Sequence, residues 1–207
     1  MQPEKSLNEK LVDAAENGSL SEVMVLWVLG ADIQAENDKA LRHAAENGHL
    51  SVVEYLEAKG ADISAEDDYA LRRSAGQGHL DVVQHLVKQG ADIMADDGSA
   101  LWRAAMNGHM DVVKYLIEDL NFDNQEAKNS ALLCAATEGH ADVSIYLLEQ
   151  NADYSDFLKP GYEACAAIER QYGREQKEHQ QQEKQTKATQ RRHRQSLLRQ
   201  YWRRKPF

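Results

Sequence analysis

Small and apolar residues recur along this chain at the spacing of a helix face, and the whole pattern returns after thirty residues. Within residues 61–90 these positions fall into two groups: Ala70, Leu71, Ser74 and Ala75, then Leu80, Val83, Leu86 and Val87. Polar residues fill the positions between, and a glycine, Gly78 or Gly90, follows each group. The pattern predicts two short amphipathic helices, each ended by its glycine.

The helix pair is repeated along the chain. Residues 31–60 and 91–120 align with residues 61–90 position for position, and residues 7–30 carry the helical half alone. A further copy starts after one extra residue at Asn121, and the pattern weakens beyond residue 151. We therefore predict an N-terminal capping repeat, four full repeats, a degenerate C-terminal capping repeat and a tail: 1–30, 31–60, 61–90, 91–121, 122–151, 152–172 and 173–207.

A fixed period of this size is typical of a solenoid. A pair of short helices cannot bury its apolar face alone, so successive pairs must stack. The predicted fold is all-α, an α-solenoid of helix-turn-helix repeats. Ahead of each pair, the stretch ADIxAxxD is too polar and too brief for a core strand, and it predicts an extended hairpin arm. Residues that suit a helix N-cap stand shortly before each Ala-Leu: Asp38, Asp68, Gly98 and Asn129.

The order of arm, helix, Gly-His-Leu, helix and Gly-Ala-Asp resembles the ankyrin repeat over residues 5 to about 172. Its motifs are NGHL (47–50), QGHL (77–80), NGHM (107–110) and EGHA (138–141), with GAD beginning at Gly30, Gly60 and Gly90. The family unit has about 33 residues and a Thr-Pro-Leu-His helix start. Here the unit is three residues shorter, and other residues replace the His: Arg42, Arg72, Trp102 and Leu133. The short form is similar to ankyrin arrays of large DNA viruses of amoebae and of bacteria that live inside amoebae.

The resemblance implies a non-enzymatic scaffold that binds a protein partner through its hairpin tips and the concave face of its first helices. The implied tip residues are Lys39, Tyr69, Ser99 and Ser130. The implied first-helix residues are His43, Arg73, Arg103 and Cys134, with Glu46, Met106 and Thr137 near the helix ends. We favour Tyr69 and Trp102 among the contacts, because aromatic residues and arginine dominate interface hot spots.

The residues that could carry chemistry have a simpler structural explanation. The recurring histidines, His49, His79, His109 and His140, are one repeat apart. Packed helices lie about 8–10 Å apart, whereas histidine ligands bind zinc at about 2 Å, so we expect each ring to hydrogen-bond backbone instead. Cys134 has no histidine or aspartate at a spacing that specifies a nucleophile. We predict no enzyme activity, no cofactor and no metal site.

Composition narrows the cellular setting. No run approaches the roughly 18 apolar residues of a membrane span, and the first residues, MQPEKSLNEK, contain no apolar segment typical of a signal peptide. The two cysteines, Cys134 and Cys165, are too few for a disulfide framework. We expect a monomer in the cytoplasm, or one delivered into a host cell.

The net charge of −10 hides a division within the chain. Residues 169–207 contain 12 Lys and Arg against 4 Asp and Glu, which leaves 12 against 30 in residues 1–168. The chain therefore has an acidic body and a basic tail.

The last part of the tail, RRHRQSLLRQYWRRKPF (191–207), is basic and amphipathic if helical, since Leu197 and Leu198 share a face with Tyr201 and Trp202. The residues expected to make contacts there are Arg191, Arg192, Arg194, Arg199, Tyr201, Trp202, Arg203, Arg204 and Lys205. Several hypotheses stay open: binding to nucleic acid, to an anionic membrane or to the chain's own acidic body, a nuclear address, an export signal, or a solubilising helical or disordered segment.

The leading interpretation is a protein-protein interaction scaffold, with a host-directed effector or adaptor as its more specific form. The alternative is a nucleic-acid- or membrane-associated protein that acts through its tail.

Overall fold

A computed structural model describes residues 5–153 without a gap, together with residues 167, 168, 170, 173, 174, 177, 181, 182 and 184–187. The chain divides into two compact units, Met1–Cys165 and Ala166–Phe207. In the second unit every described position is helical. Across the described residues there are helices and no strand, so the predicted all-α class is confirmed.

The first unit is built from pairs of helices: α1 Leu7–Glu16, α2 Leu20–Val28, α3 Ala35–Glu46, α4 Leu50–Ala58, α5 Ala65–Gln77, α6 Leu80–Lys88, α7 Ala95–Met106, α8 Met110–Lys114, α9 Gln125–Glu138 and α10 Ala141–Glu149. The odd-numbered helices pack in sequence to form what we call the first-helix row. The even-numbered helices pack in sequence beside it. Each pair covers the next, as the solenoid prediction requires.

A repeated set of leucines and alanines fills the core between the pairs. One fully buried leucine recurs in each first helix: Leu11, Leu41, Leu71, Leu101 and Leu132. A second recurs in the second helices from α4 onward, or in the π-helical turn that continues α8: Leu56, Leu86, Leu116 and Leu147. Buried alanines such as Ala44 and Ala45 separate the leucines, and their small side chains let neighbouring helices approach closely.

The arm of the first three repeats is a left-handed turn rather than the extended segment predicted from sequence. The turn lies near the start of α3, α5 and α7, where the backbone departs from helical geometry. In the first repeat Glu36, Asn37 and Asp38 have φ between 54° and 58°, and residues 66–68 and 96–98 repeat the conformation. A left-handed conformation costs an ordinary residue about 1–2 kcal/mol, and Asn, Asp and Gly tolerate it best. Most of the residues in these turns are of those three types.

Two arginines hold this turn. Arg42 donates from Nε to the Asn37 carbonyl at 2.9 Å and from Nη2 to the Glu36 carbonyl at 2.9 Å. Arg72 does the same in the next repeat, at 2.7 Å and 2.9 Å. The fourth repeat has Leu133 at this position, and α9 begins without a left-handed turn. The third repeat forms the left-handed turn with Trp102 at this position, so the arginine stabilises the turn in two repeats without being required for it.

The predicted N-caps join one repeat to the next instead. Asp68 accepts a hydrogen bond from the Asp92 backbone amide at 3.2 Å, 24 residues later. Asn129 accepts one from the amide of Asp153 at 2.7 Å in the same register. The side chain that caps α9 belongs to Asn124. The cap prediction was wrong because Asp38, Asp68 and Gly98 lie in the left-handed turn. Asn129 lies inside α9, which begins at Gln125.

The predicted structural role of the histidines is confirmed at His49, whose Nε2 lies 2.9 Å from the Glu16 carbonyl oxygen of the preceding unit. The rings of the four histidines also pack on glycines of the preceding unit. A Cβ at Gly48, for example, would lie 2.5 Å from Nδ1 of His79. This explains why Gly and His recur together.

The extra residue before the fourth repeat is absorbed inside a helix. After α8 the chain forms a π-helical turn, Tyr115–Asp119, in which the Leu120 amide bonds the Tyr115 carbonyl at 3.3 Å. Phe122 then takes the place that an alanine has in the other repeats, and its ring packs where Gly98 has no side chain. The stacking of α7 and α9 is preserved in this way.

The capping pair at the N-terminal end exposes apolar side chains on α2. Val25 is 57% exposed and Val28 75% exposed, and Leu29 just after the helix is 61% exposed. Met24 and Trp27 are also exposed, at 45% and 39%. In the next repeat Glu54, Glu57 and Lys59 stand at the positions of Met24, Trp27 and Leu29, so the fold itself does not require apolar residues there.

Candidate functional site

All four arginines of residues 1–168 lie close together on α3, α5 and α7, and we call them the arginine cluster: Arg42, Arg72, Arg73 and Arg103. Tyr69 stands in their midst, its ring centre 5.1 Å from the guanidinium of Arg42, 5.9 Å from that of Arg72 and 5.8 Å from that of Arg73. Positive charge is thus concentrated at the middle of the first-helix row of an otherwise acidic body.

On one side of the cluster, a carboxylate from the preceding repeat neutralises an arginine. Arg73 donates from Nε to Glu46 Oε1 at 2.9 Å, and its Nη2 contacts the same oxygen. The Tyr69 hydroxyl reaches Glu46 at 3.5 Å. The hydrogen bond to Glu46 raises the pKa of Arg73, because it stabilises the charged form.

On the other side, two arginines share one carboxylate. Arg72 Nη1 donates to Asp96 Oδ2 at 2.7 Å, whereas Arg103 Nη2 approaches the same oxygen only to 3.9 Å. The Arg103 guanidinium lies over the Trp102 ring, 4.5 Å from its centre. Burial, and next the charge of Arg72, lower the pKa of Arg103. Arg103 therefore retains a poorly compensated positive charge.

The structure brings some predicted contact residues into this region and separates others. Tyr69, Arg73, Trp102 and Arg103 belong to it, and Met106 lies next to Arg103 on the wall of one cavity. The tip prediction was wrong at Ser99, which is fully buried at the start of α7. Within the part of the chain that the structure describes, its hydroxyl has no hydrogen-bond partner.

The remaining predicted residues lie along the same row but outside the cluster. His43 Nδ1 is 3.8 Å from Glu16, and Lys39 donates to Glu36 of its own turn at 2.7 Å. Ser130 and Cys134 are half-buried on α9. Burial raises the pKa of the Cys134 thiol, which disfavours the reactive thiolate.

The nine tail residues predicted to make contacts lie outside the described residues, as does Cys165. Over the described part of the chain, no group of three or more His, Cys, Asp or Glu side chains is arranged to hold a metal ion. None of the described helices is long and apolar enough to cross a membrane.

Sequence reasoning missed four participants in this site: Arg42, Arg72, Gly76 and Asp96. The arginines were compared only with the family's histidine. Gly76 lines the cavity beside Arg103, and that position stands out only when residues 27 apart are compared across repeats. Asp96 comes near the cluster because it lies in the left-handed turn, which the sequence did not predict.

A family model described as ankyrin repeats (3 copies) matches residues 11–97 and 71–157, which is more than half of the chain. A search of curated proteins found no match.

Proposed function

The chain belongs to the ankyrin-repeat family, whose repeats are protein-protein interaction modules, and on that premise we propose that it is a scaffold that binds a protein partner through the arginine cluster of its first-helix row. The likeness to arrays of amoeba-associated viruses and bacteria stays a prediction.

One observation carries the proposal: the residues that most often dominate interface energetics are gathered at a single place. Tyr69, Trp102 and the arginines lie together, half-buried, on consecutive first helices. Aromatic residues and arginine contribute most of the energy at hot spots, where they are held rigidly and are partly desolvated before binding. Here Glu46 and Asp96 already hold two of the arginines in place.

The test is capture of partners by the full-length chain from its native cell, with crosslinking and mass spectrometry. The double substitution Tyr69→Ala with Trp102→Ala should remove the specific partner. Met94→Ala is the matched control, because Met94 is a comparably large side chain, 42% exposed, outside the cluster. Circular dichroism confirms that each variant is folded. A partner that is captured equally by the double variant would exclude the cluster as the binding surface.

The basic tail supports a second candidate function, binding to nucleic acid or to an anionic membrane. Its support is the excess of 12 basic over 4 acidic residues in residues 169–207. Full-length protein and a form that ends at Tyr172 are compared for binding to RNA, DNA and anionic vesicles at two salt concentrations. Binding that requires the tail and falls steeply with salt supports phosphate contacts. Equal binding by both forms contradicts them.

A further inference from the structure

On consecutive first helices, a residue near the end of one helix faces the residue 27 positions later on the next helix. We call this spacing the register of 27 and each passage from one first helix to the next a step. In the first step Glu16 faces His43 at 3.8 Å, and in the second Glu46 accepts from Arg73 Nε at 2.9 Å. In both steps an acidic residue near the C-terminal end of one helix faces a residue that carries or can carry positive charge on the next.

The third step breaks this pattern. The residue facing Arg103 in the same register is Gly76, which has no side chain. A Cβ there would lie 3.3 Å from the Arg103 Cβ, which confirms that the two positions are in contact. The Nε of Arg103 is buried and has no hydrogen-bond partner among the described residues. Buried polar groups are almost always hydrogen-bonded, so this exception calls for an explanation.

A cavity of about 170 Å³ lies at this position. Arg72, Arg73 and Arg103 are among the residues that line it, together with Gly76 and Asn107. The Asn107 amide donates to the Gly76 carbonyl at 2.6 Å, which ties the two helices together at the cavity wall. Pockets for drug-sized ligands have volumes of about 300–1,000 Å³. The cavity therefore suits the end of one side chain better than a whole small molecule.

The charges around the cavity select the kind of group that fits. Arg73 is paired with Glu46 and Arg72 with Asp96, so each of these two pairs is neutral overall. The Arg103 charge remains, with Asp96 as the sole carboxylate within 4.0 Å of it among the described residues. One added negative charge balances the site, whereas a doubly charged phosphate would exceed it. Arginine also matches the planar geometry of a carboxylate.

We propose that the cavity at Gly76 binds one aspartate or glutamate side chain of the protein partner, placed against Arg103 as Glu46 is placed against Arg73. This inference rests on the proposed function and names the chemistry by which that surface recognises its partner. The contact between Glu46 and Arg73 serves as the reference for the bound state. The second step contains the carboxylate that the third step lacks.

The experiment follows the Arg103 Nε–H signal of the full-length protein by NMR, assigned through its loss in Arg103→Lys. The probe is a short peptide with a central glutamate pair and neutral flanks. Two matched peptides carry glutamine or phosphoserine at the same positions. The Arg73 Nε–H, already bonded to a carboxylate, is the internal reference.

The glutamate peptide should move the Arg103 signal towards the position of the Arg73 signal in a saturable way. The glutamine peptide should bind at least about tenfold more weakly, since a hydrogen bond to a charged group is much stronger than one to a neutral group. Equal effects of the two peptides, or no shift with the glutamate peptide, would overturn the proposal. Tighter binding of the phosphoserine peptide would overturn the choice of a carboxylate.

Substitutions at Gly76 give a test that needs no ligand. Gly76→Glu should move the Arg103 signal by itself, raise the thermal midpoint above that of Gly76→Gln, and abolish peptide binding. Gly76→Ala is the control that leaves most of the cavity open, and it should retain binding. If Gly76→Glu leaves the Arg103 signal unchanged, the geometry does not accept a carboxylate and the inference fails.

The same variants separate this inference from the proposed function. Capture of a partner that is lost with Tyr69→Ala and Trp102→Ala but unchanged with Gly76→Glu supports the scaffold and refutes the carboxylate cavity. Capture that survives all of these substitutions refutes both.

Discussion

Replacing Arg42 tests whether a guanidinium holds the left-handed turn. Arg42→Met keeps the length of the side chain and removes both hydrogen bonds, to the carbonyls of Glu36 and Asn37. A hydrogen bond to a charged group contributes about 1.5–3 kcal/mol. Arg42 is half-buried, so we use the lower part of that range for each bond. For the two bonds together, the free energy of unfolding should fall by about 3–4 kcal/mol.

Arg42→Lys refines the test. Lysine keeps the charge but lacks the planar fork that serves two carbonyls at once, so about half of the loss should return. Leu133→Met is the matched control, because Leu133 occupies the same register in the repeat without a left-handed turn. Its cost should stay below about 1.5 kcal/mol.

Urea unfolding followed by circular dichroism measures these changes. An unchanged slope of the unfolding free energy against urea concentration shows that the substitution changed stability and not the surface exposed on unfolding. If Arg42→Met is as stable as the wild type within about 0.5 kcal/mol, a normal result for a surface substitution, the turn does not depend on the arginine.

Three further predictions concern the joints between repeats. Burial raises the pKa of Asp68 above its ordinary value of 3.8, so its carboxyl group adds stability below that value and loses it as the pH rises through the folded pKa. Asp68→Asn should therefore be more stable than the wild type at pH 7, and this difference in stability should vanish below pH 3.8. Urea midpoints measured at several pH values test this, and a difference that grows as the pH falls would contradict it. Gly48→Ala should cost about 1–3 kcal/mol more than Gly60→Ala, because both have positive φ but a Cβ meets the His79 ring only at Gly48; equal thermal midpoints would contradict the steric explanation. Burial, and next a hydrogen bond to Glu118, raise the pKa of Tyr146, so Glu118→Gln should lower that pKa while leaving it above 10.0. NMR titration of labelled tyrosine measures this pKa, and an unchanged value would contradict the prediction.

Much of the architecture follows from periodicity alone. The spacing of Leu71 and its counterparts predicts the helix pairs, and the glycines at the helix ends predict where they stop. These positions recur because every helix pair packs against a neighbouring pair of the same kind. Each repeat therefore supports the helix prediction made from the others. The same logic predicts that His49 has a structural role, since a ligand set cannot be spread over successive repeats.

The arm could not be predicted in the same way. In two repeats an arginine holds the left-handed turn, Arg42 or Arg72, five and six residues after the carbonyls that it binds. In the third repeat the same turn forms with Trp102 at that position. Local propensity at residues 35–38 gives no sign of this turn, because the donor that stabilises it, Arg42, lies further along α3. Ser99 was placed wrongly because alignment alone does not show that Ser99 is fully buried whereas Tyr69 is half-buried.

The candidate site was predicted in part. Tyr69, Arg73, Trp102 and Arg103 could be selected by residue type, because aromatic residues and arginine are prominent in interfaces. Their mutual arrangement could not, since it depends on which positions face each other between helices. The comparison of Glu46 with Gly76 was available in the sequence, but its meaning required the register of 27 seen in the structure.

The register of 27 also means that the number of repeats decides whether Arg103 has a partner within the chain. Recombination between neighbouring repeat sequences can remove one unit of thirty residues. Loss of residues 47–76 would join Glu46 to Gln77 and place Glu46 27 positions before Arg103, the spacing that now pairs it with Arg73. A single change in gene length would thus convert an open recognition site into a closed internal ion pair, and a duplication of the unit that contains Gly76 would create a second open site.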